Sequence, residues 1–99
     1  MIQNASTQAI ASGTDAAIGA SGVPIRVFCL HIISDGTAGV ASLRNGTAAT
    51  DTAYVTETGT INTGKTIVLG DQGMIFPSGC FLDVDSHVVG GLVTFNYLK

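Results

Sequence analysis

The chain has 99 residues, 45% of them hydrophobic and only 11% charged, with a formal net charge of −3. That length suits one domain and leaves no room for a second, and the basic residues Arg26, Arg44, Lys65 and Lys99 stand singly, so the basic stripe needed for nucleic-acid binding is missing. The charged fraction is less than half the roughly 25% of an average soluble domain, so the surface is either coated with Thr, Ser, Asn and Gly or covered by a partner.

Residues 1–22 read as an N-terminal arm. They are Ala, Ser, Thr and Gly around the isolated apolar residues Ile2, Ile10 and Ile18, with no sustained helical or strand period. Within the arm, Asn4 to Ile10 can pair as an edge strand. Thr14 to Ala20 can make a helical turn capped by Thr14, although Gly13 and Gly19 weaken it. No basic stretch precedes an apolar core, so a signal peptide is not expected.

From residue 23 to 99 the pattern is that of an all-β domain. Pro24 is followed by IRVFCLHIIS, in which Ile25, Val27, Cys29, His31 and Ile33 alternate with Arg26, Phe28, Leu30, Ile32 and Ser34. Both faces of this strand are apolar, as expected of a strand covered on two sides. His31 interrupts the run, which is far shorter than the roughly 20 residues of a membrane-spanning helix.

Asp35-Gly36 is a turn, VASLRN a short strand, and Asn45-Gly46 a further turn. Asp51 to Thr58 alternates Thr and Tyr with Ala, Val and Glu, the mark of a half-exposed strand. Lys65 to Leu69 is a short strand, Gly70 to Gly73 a turn, and Met74-Ile75-Phe76 runs into the Pro77-Ser78-Gly79 turn. CFLDVD, with Cys80, Leu82 and Val84 inward and Asp83 and Asp85 outward, and a closing LVTFNYLK complete the set. Seven or eight short strands at this spacing predict a small antiparallel β-sandwich, jelly-roll-like or Greek-key.

No pattern points to catalysis. His31 lies mid-strand among apolar residues, which favours a hydrogen-bonded or interface histidine over a general base. Cys29 and His31 share a face two residues apart but are expected to pack into the core. There is no G-x-S-x-G, and T-G-K-T at Thr63 to Thr66 lacks the longer Walker spacing. A zinc site would need H-x-H, C-x-x-C or H-E-x-x-H, none of which occurs. Asp83 and Asp85 share one strand face and read as solvating residues rather than calcium ligands. Cys29 and Cys80 allow one disulfide, but their apolar surroundings read as two buried free thiols. No cofactor or metal is expected.

The stretches PIRVFCLHIISDGTAGVASLRNGT, YVTETGTINTGKTIVLGDQGMIFPSGCFLDVD and VTFNY, covering Pro24 to Tyr97, resemble small virion proteins of tailed bacteriophages, notably those infecting cyanobacteria and other aquatic bacteria. The most recognisable pieces are V-x-S-L-R-N-G-T at Val40 to Thr47 and I-F-P-S-G-C-F-x-D-V-D at Ile75 to Asp85. The resemblance implies a non-enzymatic, multi-copy β-sandwich of the capsid cement or decoration type, or a small tail or fibre part. It would be made in the host cytoplasm and mounted on the capsid exterior.

The expected partners are copies of the chain itself, with a homotrimer the natural unit for a quasi-threefold junction, and the major capsid protein or another virion protein. Nucleic acid and membrane are not expected partners. The expected contact residues are Ile2, Asn4 and Ile10 in the arm, Phe28, Leu30 and Ile32 on the Ile25 strand, and Arg26 and Arg44 as rim anchors. The alternative is a tail or fibre module recognising a host-surface glycan through Asp51 to Thr58 and the loop Asp83 to Gly91.

Overall fold

A β-branched, turn-punctuated chain satisfies its backbone groups by pairing strands, and the computed structural model describes residues 5–98 in those terms, with nine strands and no helix among them. The strands are β1 (Ser6–Ala9), β2 (Ala16–Ile18), β3 (Ile25–Ser34), β4 (Val40–Asn45), β5 (Thr52–Thr58), β6 (Gly64–Val68), β7 (Met74–Phe76), β8 (Cys80–Val84) and β9 (Val88–Tyr97).

All pairings are antiparallel. One sheet runs β1-β9-β3-β6, with β7 also on β3, and the other runs β2-β8-β4-β5. β6 lies along Cys29 to Ile33 and β7 along Ile25 to Val27, so the two form one interrupted edge strand. Counted that way there are eight strands, and their order in the two sheets is that of a jelly roll. The small antiparallel β-sandwich predicted from the turn spacing is therefore the fold.

The long strand β3 explains the doubly apolar pattern. Ile25 and Val27 are fully buried and face the second sheet, as do Leu30 and Ile32 further on. Even spacing would put these two pairs on opposite faces. Phe28 is an extra residue in the ladder, because Val27 pairs with Phe95 and Cys29 with the next residue, Thr94. This β-bulge turns the second half of the strand over, so the apolar residues of both alternating sets reach the same core. The outward positions are Arg26, Cys29, His31 and Ile33.

The core is filled by both sheets. Val27, Leu30, Ile32, Val93 and Phe95 come from one, and Ile18, Leu43, Leu82 and Val84 from the other, with Phe76 at one end of the cluster. Tyr54 is the extra residue of a second bulge, between Ala53 and Val55. Its ring lies 5.2 Å from that of Phe76. Glycine is required at Gly91, where φ is +139° and a Cβ would overlap the His31 carbonyl oxygen of the neighbouring strand.

The segment read as an arm belongs to the sandwich from Ser6 to Ile18. β1 pairs with β9, and β2, where a helical turn was expected, pairs with β8. Ile10 and Ile18 enter the core. Edge strands bury few side chains and take their stability from backbone bonds to one neighbour, so their sequence shows little hydrophobic period. Ile2 and Asn4 lie outside the described residues.

The two lateral sides of the sandwich are closed by polar side chains. On one side Gln8 Nε2 donates to Ala17 O at 2.8 Å and Gln8 Oε1 accepts from Gly19 N at 2.9 Å, joining β1 to the end of β2. On the other side Lys65 Nζ, from β6, donates to Glu57 Oε1 at 3.3 Å and to Thr58 O at 3.1 Å on β5. At one end of the sandwich the loops are tied together: Asp35 N donates to His87 O, Asn62 N to Asp35 O, and Gly59 N to Gly39 O.

Candidate interaction surface

Side chains of paired residues share a face, so the outer surface of the five-stranded sheet can be read row by row. Val68, Cys29, Thr94 and Thr7 form one row, and Thr66, His31, Leu92 and Ala9 the next. Ile33 lies between Gly64 and Gly90, and at the opposite end Arg26 lies between Ile75 and Asn96. Val68 is 69% exposed, Leu92 and Ile75 46%, and Ile33 38%.

Among the described residues none of the outward strand positions of this face holds a carboxylate, and Arg26 is the one of fixed charge. The Arg26 guanidinium donates to Gln72 O at 2.9 Å. His31 lies flat over β6: its Nδ1 is 2.7 Å from Thr66 Oγ1, and a Cβ on Gly64 would meet its ring. The face is therefore low in relief, largely uncharged, and studded with exposed aliphatic groups.

The outer surface of the four-stranded sheet is different. Arg44 Nε and Nη2 both lie 3.0 Å from Asp83 Oδ2, and Nη1 donates to Asp51 O at 2.9 Å. The Ser42 and Thr56 hydroxyls are 3.0 Å apart and bond to each other. Polar groups here satisfy one another, with Ser42 buried and Arg44 and Asp83 partly exposed.

The acidic residues are mostly occupied by backbone donors. Asp51 Oδ2 accepts from Thr47 N and Ala48 N, Asp15 Oδ1 from Val84 N, and Asp85 from Val40 N and His87 N. Asp35 Oδ1 accepts from Thr37 N at 2.9 Å and lies 3.2 Å from His87 Nδ1. The Thr37 N–H is the main reason that the Asp35 carboxyl is held below its ordinary value; desolvation, the next largest influence, opposes it, and His87 adds to the lowering. Among the described residues no three His, Cys, Asp or Glu side chains form a group able to hold a metal ion. No helix among them is long and apolar enough to cross a membrane.

Several expected contact residues are in the core instead. Leu30 and Ile32 are fully buried and Ile10 nearly so, because the bulge at Phe28 points that half of β3 inward. Phe28 is also buried, outside the main core, where Gly73 packs closely against it. Arg26 does lie on the apolar face, at its end, whereas Arg44 lies on the opposite sheet and is engaged with Asp83. Cys29 and His31 share a face as expected, but that face is the outer one and not the core.

Both thiols are free, Cys29 half-buried on the outer face and Cys80 buried between the sheets. Burial pushes the Cys80 thiol up to about 12. The aliphatic residues Val68, Ile75 and Leu92 were not singled out from sequence. The outward phase of Val68 and Leu92 follows from alternation once Leu30 and Val93 are known to point inward, and that of Ile75 from its buried neighbour Phe76.

Comparison with protein-family models, with curated proteins and with solved structures finds no match to this chain.

Proposed function

We propose that the chain is a non-enzymatic virion structural protein of a tailed phage, a capsid decoration or cement protein. In this role it self-associates and clamps neighbouring major capsid subunits on the outside of the shell. The observation that carries the reading is the outer face of the five-stranded sheet, where Val68, Leu92, Ile75 and Ile33 stand exposed with no carboxylate among them. Exposed aliphatic groups gathered on one surface mark a contact site, and cementing works by burying area that a shell subunit leaves open.

Two further features support the reading. The stretches spanning Pro24 to Tyr97 resemble tailed-phage virion proteins, and jelly-roll sandwiches are a common building unit of viral shells. The same architecture serves lectins and cupins, so strand order by itself assigns no role. The closed lateral sides suit a body that works by rigid contact.

The test is a mass-spectrometric copy count on purified particles, paired with heat challenge of particles lacking the protein. The expected result is a fixed stoichiometric ratio to the major shell protein and earlier rupture of the stripped particles. Absence from particles, or stripped particles as heat-resistant as complete ones, overturns the reading.

A further inference from the structure

We infer that the apolar face of the five-stranded sheet is covered by a second copy of this chain, sheet against sheet about a twofold axis. The inference deepens the self-association half of the reading above and rests on it.

Charge is the first argument. The body carries a net charge of −3, so two copies repel unless the meeting surfaces exclude the acids. On this face the outward positions hold none, and Arg26 sits at one end of β3 with Ile33 at the other. A twofold axis across the strands places Arg26 of each copy over the Ile33 end of its mate, beside Gly90. The two guanidinium groups are then far apart, at opposite ends of the contact.

Area is the second. The strand residues of this sheet, four in β1, ten each in β3 and β9, five in β6 and three in β7, cover roughly 500 Å² per copy at a rise of about 3.3 Å and a spacing of about 4.8 Å. That totals roughly 1,000 Å², above the crystal-contact range and about the size that a biological interface should reach. Sheets stacking at the usual distance of about 10 Å fill such a contact with interdigitated aliphatic side chains, here Leu92 and Val68.

The edges supply the third. β1, β5 and β6 each carry an inward-pointing polar residue, Gln8, Glu57 and Lys65, tied to the opposite sheet. Inward polar groups of this kind oppose strand addition at an edge. The opposite sheet presents Arg44 and Asp83 to solvent. Self-association is thus directed to the one broad face with neither device. A face that meets its own copy closes on two subunits, so the inferred unit is a pair, where the phage resemblance leads to an expectation of three.

The test is sedimentation equilibrium of the purified protein across a concentration series, with Leu92→Glu, Val68→Glu and, as a control on the other sheet, Ala53→Glu. Far-ultraviolet circular dichroism and thermal melts establish that each variant is folded. The expected result is a mass that doubles with concentration for the native chain and for Ala53→Glu. Leu92→Glu and Val68→Glu should keep native melts but need at least tenfold more protein to pair.

A native chain that stays single up to its solubility limit overturns the inference, as does a three-copy mass. Pairing unaffected by either glutamate also overturns it. Folded, single variants that have lost only shell binding, beside a native chain that was single already, would give the face to the shell subunit instead. None of these outcomes alters the copy count on particles, so failure of the pair and failure of the virion assignment are read separately.

Discussion

Gln8 on β1 and Lys65 on β6 hold equivalent places at opposite sides of the sandwich: each is paired with a core position, Val93 for Gln8 and Ile32 for Lys65, and each reaches across to the other sheet. A polar side chain at an inward edge position is costly unless bonded. Here it is bonded to the facing strand, so it seals the gap that a sandwich leaves where its sheets end. It also gives an incoming strand a polar, already occupied border.

Gln8→Ala should lower stability by about 1–3 kcal/mol, because it removes both bonds and leaves Gly19 N and Ala17 O partly buried without their partners. At this chain length that corresponds to a melting point lower by about 4–8 °C per kcal/mol. Lys65→Ala should cost about 1 kcal/mol or less, since its ion pair with Glu57 is 40% exposed on the lysine side. Urea melts of both variants check the order, and a larger loss for Lys65→Ala would contradict it.

Leu30 and Leu92 separate the inner and outer surfaces of the same sheet. Leu30→Ala should cost about 2–5 kcal/mol through lost burial and a cavity. Leu92→Ala in the single-copy state should stay within about 0.5 kcal/mol of the native chain. Comparable losses at the two positions, measured by denaturant unfolding at low protein concentration, would show that the face assignment of β3 and β9 is wrong.

The two thiols should react at very different rates. Alkylation of the folded protein near neutral pH is expected to label Cys29 alone, because Cys80 is buried and its thiol is pushed up to about 12, which leaves almost no thiolate. In denaturant both should label. Intact-mass spectrometry reads one adduct against two, and rapid double labelling of the folded chain would refute the prediction.

Asp35 sets the sign of a small acid dependence. Its carboxyl is lowered in the folded state from the ordinary 3.8, first by the Thr37 N–H, so the charged form favours folding. That contribution is present above the unfolded value and is lost as pH falls through the folded one. The native chain should therefore melt above Asp35→Asn at about pH 5–7, and the gap should narrow below about pH 4. A gap that widens on acidification would reverse the sign.

The fold was legible where turn residues and alternation coincide. Asp35-Gly36, Asn45-Gly46 and Pro77-Ser78-Gly79 separate strands where expected, and CFLDVD alternates as predicted, with Cys80, Leu82 and Val84 inward. The N-terminal strands were less legible because an edge strand such as Ser6–Ala9 buries little and shows only polar and small residues. The contact surface was misplaced for one local reason. An extra residue at Phe28 leaves no mark in the hydrophobic pattern except two apolar faces, and a doubly covered strand gives that same pattern. The pattern alone therefore places Leu30 and Ile32 on the outside and does not mark Val68 or Leu92.

The surplus residue at Phe28 makes chain length, rather than side-chain identity, the critical quantity at that point in β3. Deleting it would rotate Ile25 to Val27 by half a turn, driving the Arg26 guanidinium toward oil and two aliphatic groups into water, or else uncouple β7 from its partner. Insertions and deletions are ordinarily absorbed by loops. This strand contains a place where a frame-preserving codon loss would do more harm than most substitutions.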